Sequence, residues 1–209
     1  MSSAIELLRH FSVPIYSCLV EGFDAHKEAL VEALRGVRAA SPGVQLTNRN
    51  SWHSEANLHL GADPEIRWAT DRIRELATGA LHDLYQGWRD TEPRIVDCWS
   101  VIGGRGAWHT AHQHYPRLWS GVFYVSAERC VSATDPTDRG GKVEFLNPIS
   151  VPMAFFTPPS ISYNPRDGLL LLFPGALLHM VHPNPTDEER VIMSFNIDVV
   201  QKSRAVPST

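Results

Sequence analysis

From Pro93 onward the chain is a succession of short apolar runs rich in Val, Ile, Phe and Tyr, broken by Gly, Pro, Asn and Asp clusters. None of these runs carries a long helical stripe, and their regular punctuation is how an all-β sandwich or barrel reads. Strands are expected at 95–102, 111–115, 121–126, 142–145, 161–163, 169–173, 176–181 and 190–200. Eight antiparallel strands in two facing sheets form a jelly roll, whose mouth can hold a ligand or a metal. The expected class is therefore mainly β.

Upstream of Pro93 the pattern turns helical. Leu30, Leu34 and Val37 recur at helical spacing over 25–39, and Ser41-Pro42-Gly43 stops the run. Asp63-Pro64-Glu65 supplies an N-cap with proline at the first helical position. Behind it, Ile66, Ala69, Ile73, Leu76, Ala80, Leu84 and Trp88 form one amphipathic stripe. Both stripes read as packing faces, and the outer face of a sheet is their natural partner. One domain is expected, with 1–93 as helical N-terminal support for a core formed by 94–200. Phe11 to Tyr16, interrupted by Pro14, reads as a short edge strand, and 48–60 as a loop or irregular strand. Two connections are long, 127–140 and 146–167. The second carries five prolines together with Phe155 and Phe156, which suits either a stiff surface crossover or a cover over a substrate.

A chain of 209 residues with 43% hydrophobic and 20% charged content can bury one sizeable core. Nineteen basic against twenty-three acidic residues, with no basic block, argue against nucleic acid or an anionic membrane as the main partner. Cys18, Cys98 and Cys130 are too few and too widely spaced for a disulfide framework or a thiolate zinc site, so a reducing cytoplasm fits best. Arg9 and His10 interrupt any secretory pattern, and the longest apolar run, Leu169 to Phe173, is far too short to span a bilayer. The expected partner is a small-molecule substrate, with homodimer formation left open.

Histidine is the informative excess. Five of the ten histidines fall in two tight groups, His109, His112 and His114, then His179 and His182. In an extended strand His112 and His114 point to one side, which is a metal-ligand spacing as well as an ordinary structural one. His179 follows an apolar strand and a Pro-Gly turn, so it can reach back beside that pair. Arg190 lies on the next apolar strand, where a guanidinium facing inward is costly unless it meets an anion such as a carboxylate. Ser194 and Asn196 share its face and are expected to help hold the same carboxylate. His109 reads as pocket wall and His182 as a non-ligand, while Trp99, Trp108, Trp119 and Tyr124 are candidates for either pocket lining or plain core.

In order, His112-x-His114, SGVFYVS, GGKVEFLNP, DGLLLLFPGALLHMVHP and ERVIMSFN resemble the iron(II)- and 2-oxoglutarate-dependent oxygenases, close to the prolyl-4-hydroxylase-like branch. The nearest resemblance is to a group of small bacterial and phage oxygenases, whose N-terminal Trp-His-Ser is similar to Trp52-His53-Ser54. The resemblance implies a double-stranded β-helix, iron(II) held by His112, His114 and His179, and 2-oxoglutarate bound by Arg190. The reaction it implies consumes O2, releases succinate and CO2, and hydroxylates an unactivated C–H bond of a small molecule such as an amino acid or natural-product intermediate.

His114 stands where these enzymes usually place a carboxylate ligand. Three arrangements follow: a three-histidine site, a site completed by Glu144 or Asp97 in place of His114, or a site that no longer binds iron. Three neutral ligands would leave the centre one unit more positive than the usual set. Two other functions remain open, a cupin-like three-histidine dioxygenase that does without 2-oxoglutarate, and a non-catalytic metal-binding module. Arg190 at its spacing argues against the former.

Overall fold

A computed structural model describes residues 12–84, 91–131, 137–149 and 158–202. Eight strands follow Pro93 or include it: β4 (Thr91–Gly103), β5 (Trp108–His112), β6 (Trp119–Ser126), β7 (Val143–Leu146), β8 (Ser160–Tyr163), β9 (Leu169–Pro174), β10 (His179–Val181) and β11 (Arg190–Gln201). Three short strands precede them, β1 (Tyr16–Leu19), β2 (Asn48–Arg49) and β3 (Trp52–His53). They form two antiparallel sheets, a six-stranded one in the order β1-β9-β6-β11-β4-β3 and a five-stranded one in the order β2-β5-β10-β7-β8. Two facing sheets of this kind make the double-stranded β-helix.

Side-chain alternation explains why the apolar runs are nearly continuous. Along β11, Val191, Met193, Phe195 and Ile197 pack toward the helices, whereas Arg190, Ile192, Ser194 and Asn196 line the space between the sheets. β6 divides in the same way, with Phe123 and Val125 outward, and Val122 and Tyr124 inward. A sheet buried on both faces leaves no polar face to read in its strands. Gly121 is required where β6 crosses β11, because a Cβ there would lie 2.2 Å from the Phe195 ring.

The helices α1 (Phe23–Ala39) and α2 (Pro64–Leu84) cover the outer face of the larger sheet. Leu30, Leu34, Ile66, Ala69 and Ile73 share one apolar cluster with Phe123, Leu170, Met193 and Phe195. Asp63 caps α2 as expected, its Oδ1 accepting from the amides of Glu65 and Ile66 at 2.9 and 3.1 Å.

Several expected boundaries are corrected. β5 ends at His112 rather than running to 115, so His114 lies beyond the strand, its amide donating to the Gly175 carbonyl at 2.7 Å. β10 begins at His179, since 176–178 complete the turn after Pro174. The first strand starts at Tyr16, after the proline-broken segment, and takes the expected edge position. Within 48–60, read as loop or irregular strand, the chain forms two short strands and a 3-10 turn. Trp88 and the Phe155-Phe156 tip of the second long connection fall outside the described residues.

Candidate active site

Three imidazoles converge between the sheets. His112 at the end of β5, His114 just beyond it and His179 at the start of β10 bring one nitrogen each to within 4.8 Å of one another. Strand pairing sets the first contact, because His179 and His112 are directly opposed in the β10–β5 ladder. Turn geometry sets the second, as the Gly175 carbonyl holds the His114 backbone against the loop that leads into β10.

Hydrogen bonds decide which nitrogen each ring presents. His112 Nδ1 lies 2.7 Å from the Thr110 carbonyl, and His179 Nδ1 lies 2.8 Å from the Leu177 carbonyl. A carbonyl only accepts, so both Nδ1 atoms carry the proton and both Nε2 lone pairs are left for a ligand. Burial pushes all three imidazoles below their ordinary range, His114 to about 4 and His179 to about 3, and their mutual proximity adds to the shift for those two. Neutral imidazoles with converging lone pairs are what a first-row transition metal requires. These residues therefore fit iron(II).

The carboxylate alternatives do not join this cluster. Glu144 pairs in register with Met180, one residue from His179, so it points to the opposite side of its sheet. There it is bound by Arg139, Ser160 and His182, the last through Nε2 at 2.6 Å, and His182 is thereby engaged away from the metal cluster. Asp97 does line the cavity, but its Oδ2 accepts from Arg117 Nε and Asn196 Nδ2, each at 3.0 Å.

The cavity around the histidines has a volume of about 420 Å³. Val122, Phe173 and Ile192 provide apolar wall, and Trp99 and Tyr124 do the same. Trp108 is instead half-exposed, and Trp119 packs in the cluster shared with the helices. At one end of the cavity sits Arg190, 2% exposed, its guanidinium donating only to the Gly141 and Ala107 carbonyls, both at 3.3 Å. No carboxylate pairs with it among the described residues. Burial lowers its pKa, yet a guanidinium remains charged at any ordinary pH. A buried cation lacking a counter-ion is costly by several kcal/mol, and an anion entering the cavity relieves that cost. This is the environment a carboxylate of 2-oxoglutarate needs.

Ser194 and Asn196 line the same cavity. At about 3.3 Å per residue, Asn196 lies about 20 Å along β11 from Arg190, and Ser194 about 13 Å. Asn196 also donates an amide hydrogen to Asp97.

His109 proves to be pocket wall, as its spacing implied. It is 7% exposed, its Nδ1 is 3.4 Å from Thr47 Oγ1, and its Nε2 has no protein partner. Burial and then the neighbouring Arg190 hold its pKa well below the ordinary value. His53 was named only for its resemblance to the Trp-His-Ser signature. It lines the cavity and stacks on Trp99 with ring centroids 5.6 Å apart. Its two-residue strand is too short for a periodic signal.

Residues 97–196 match the family described as "Putative 2OG-Fe(II) oxygenase". No curated protein matches the sequence. Among solved structures, a prolyl-4-hydroxylase from Pseudomonas putida is similar with a TM-score of 0.62 and 17% identity, covering 92% of this chain and 95% of that one. The α-ketoglutarate-dependent epimerase SnoN from nogalamycin biosynthesis is similar with a TM-score of 0.64 and 14% identity, covering 94% and 88%. HygX from Streptomyces hygroscopicus, with nickel, 2-oxoglutarate and hygromycin B bound, has a TM-score of 0.59 and 13% identity, covering 91% and 84%. At these identities the structural likeness is one of fold. The family match over residues 97–196, which carry the site, and the likeness of fold together support the iron(II)/2-oxoglutarate-dependent oxygenase superfamily and its prolyl-4-hydroxylase-like branch. The chain is accordingly an enzyme of the class that works with iron(II), 2-oxoglutarate and O2.

Proposed function

We propose that the protein hydroxylates an unactivated C–H bond of a small molecule, with His112, His114 and His179 as the iron ligands and Arg190 as the anchor for 2-oxoglutarate. The observation that carries this reading is the pairing of a three-imidazole cluster with a buried, unpaired guanidinium in one cavity. The similar structures include SnoN with nogalamycin RO, HygX with hygromycin B, and a hydroxylase with a peptide fragment. A cavity of this volume favours a small molecule over an extended chain. The three free thiols suit a reducing cytoplasm, and no described helix is long and apolar enough to cross a membrane.

Bound iron with 2-oxoglutarate and O2 supplies an oxidant able to remove hydrogen from such a bond, with release of succinate and CO2. The protein's residues do the rest. The Thr110 and Leu177 carbonyls orient two imidazoles through their Nδ1–H groups, so the ligand geometry is set before metal arrives. Three neutral ligands leave both positive charges of the metal uncompensated, which favours a dianionic co-substrate. Arg190 fixes the far end of that co-substrate by charge and by its planar fork. Trp99, Val122, Phe173 and Ile192 exclude water from the reacting carbon.

The test is turnover of 2-oxoglutarate by the iron-loaded protein. Succinate formation is expected, and it should be lost in His179→Ala and Arg190→Ala. A protein that binds iron but forms no succinate with any compound in a broad panel would overturn the proposal.

A further inference from the structure

The cavity has a second polar end, opposite Arg190, which the co-substrate does not explain. At that end β11 contributes Asn196, and β4 contributes Asp97 directly across the ladder. Asn196 is 6% exposed and donates its Nδ2 to Asp97 Oδ2 at 3.0 Å. Its Oδ1 is buried with no partner. The amide cannot be turned over to satisfy it, because the carboxylate then would face a carbonyl oxygen. Asp97 is likewise only half used, since Arg117 Nε and Asn196 Nδ2 both bind Oδ2 and no described group binds Oδ1. Both unused atoms are acceptors.

Arg117 is shared between Asp97 and Asp198, at 3.0 and 3.1 Å, and Arg94 is opposed to Asp198 across the β11–β4 ladder, so Asp97 has half of one guanidinium as its counter-ion. The opposite end holds the unpaired Arg190. The metal cluster lies between them: His109, against Arg190, stacks on His112 at 6.1 Å, while Trp99, two residues along the inward face from Asp97, contacts His114 at 5.7 Å. A five-carbon diacid spans about 5 Å between its terminal carbons, well short of the about 20 Å that separates Arg190 from Asn196 along β11. The Asp97–Asn196 end is left for the other substrate.

We infer that Asp97 Oδ1 and Asn196 Oδ1 form a recognition subsite for an ammonium group of the substrate, holding an amine-bearing small molecule so that a carbon a few bonds away faces the metal. This rests on the oxygenase reading for the position of the metal, but the subsite itself is made by residues of the chain. A buried orphan acceptor costs roughly 1–3 kcal/mol, and a donor that satisfies it recovers that cost. An ammonium satisfies both acceptors and the charge. An alcohol of the same length supplies a single donor without the charge, and a carboxylate is repelled.

The probes are 1-hexylamine, 1-hexanol and hexanoate, titrated anaerobically into protein loaded with manganese(II) and 2-oxoglutarate and followed by calorimetry or ligand NMR. Binding of the amine at least tenfold tighter than the alcohol is expected, with hexanoate weakest. Asp97→Asn and Asn196→Leu should each reduce that preference to within about threefold, with folding checked by thermal melting. Equal binding of amine and alcohol to the unmutated protein overturns the proposal, so it stays falsifiable even where a variant does not fold. Succinate formation without amine preference removes the subsite and leaves the oxygenase. Amine preference without succinate formation under any condition leaves the subsite and removes the oxygenase.

Discussion

His112 and His179 face each other across the β5–β10 ladder with ring centroids 4.3 Å apart, and each donates Nδ1–H to the carbonyl of the residue two positions before it. The same local bond, made once on each strand, delivers two Nε2 lone pairs to one point. His114 completes the set from outside regular structure, stacked on His179 with ring planes 19° apart.

The proposed third iron ligand, His114, can be tested by itself. His114→Ala is expected to weaken iron(II) binding by more than the roughly 10–100-fold that loss of a group behind a ligand costs. His114→Asp restores a two-histidine, one-carboxylate set and should retain iron while binding 2-oxoglutarate more weakly, because the centre loses one positive charge. Metal titration followed by 2-oxoglutarate titration of each variant checks both.

Depressed imidazole pKa values make a statement about pH. A proton competes with metal only below the pKa, and His114 and His179 are held near 4 and 3, with His112 lowered as well. Three ordinary histidines of pKa about 6.5 would lose about three orders of magnitude in metal affinity between pH 7.5 and 5.5. This site should lose less than about tenfold, as measured by titration with a divalent metal at the two pH values.

Arg190→Met separates function from stability. Removing a buried, unpaired charge is expected to leave the metal-free protein as stable or up to about 4 kcal/mol more stable in urea unfolding. The same change should weaken 2-oxoglutarate binding by about 2–5 kcal/mol. Stability and ligand affinity therefore move in opposite directions in one variant.

Glu144 contributes to the acid response of the fold. Burial alone would raise its carboxyl, but hydrogen bonds from Ser160, His182 and Arg139 outweigh it and hold the group at about 2 instead of 4.5. A depressed carboxylate contributes stability above its ordinary pKa and loses it as pH falls toward the folded value. Glu144→Gln should cost about 3 kcal/mol at pH 7, and the difference from the unmutated protein should shrink between pH 4.5 and pH 2. Urea unfolding across that range measures it.

Much of this was legible in the residues themselves. Short apolar runs with Gly and Pro punctuation marked the eight strands, because their sheets are buried on both faces, and 3.6-residue stripes marked both helices, because each buries one face. His112, His114 and His179 were readable as a set by their order and resemblance. Periodicity could not reveal His53, on a strand of two residues, nor that β5 stops at His112.

Sequence by itself determined the class of fold, the inward parity of Arg190, Ile192, Ser194 and Asn196, and the residues competent to bind metal. Tertiary structure alone decided which of them meet. Parity puts Arg190 and Asn196 on one face, but the β11–β4 register sets one opposite Gly103 and the other opposite Asp97, at the two ends of the cavity. Glu144 and Phe145 are neighbours in the chain, yet only Phe145 is opposed to His179 across the β10–β7 ladder. Register is a property of paired strands, so whether a carboxylate reaches the metal, or an amide answers to a co-substrate or a substrate, is fixed only once the sheets have closed.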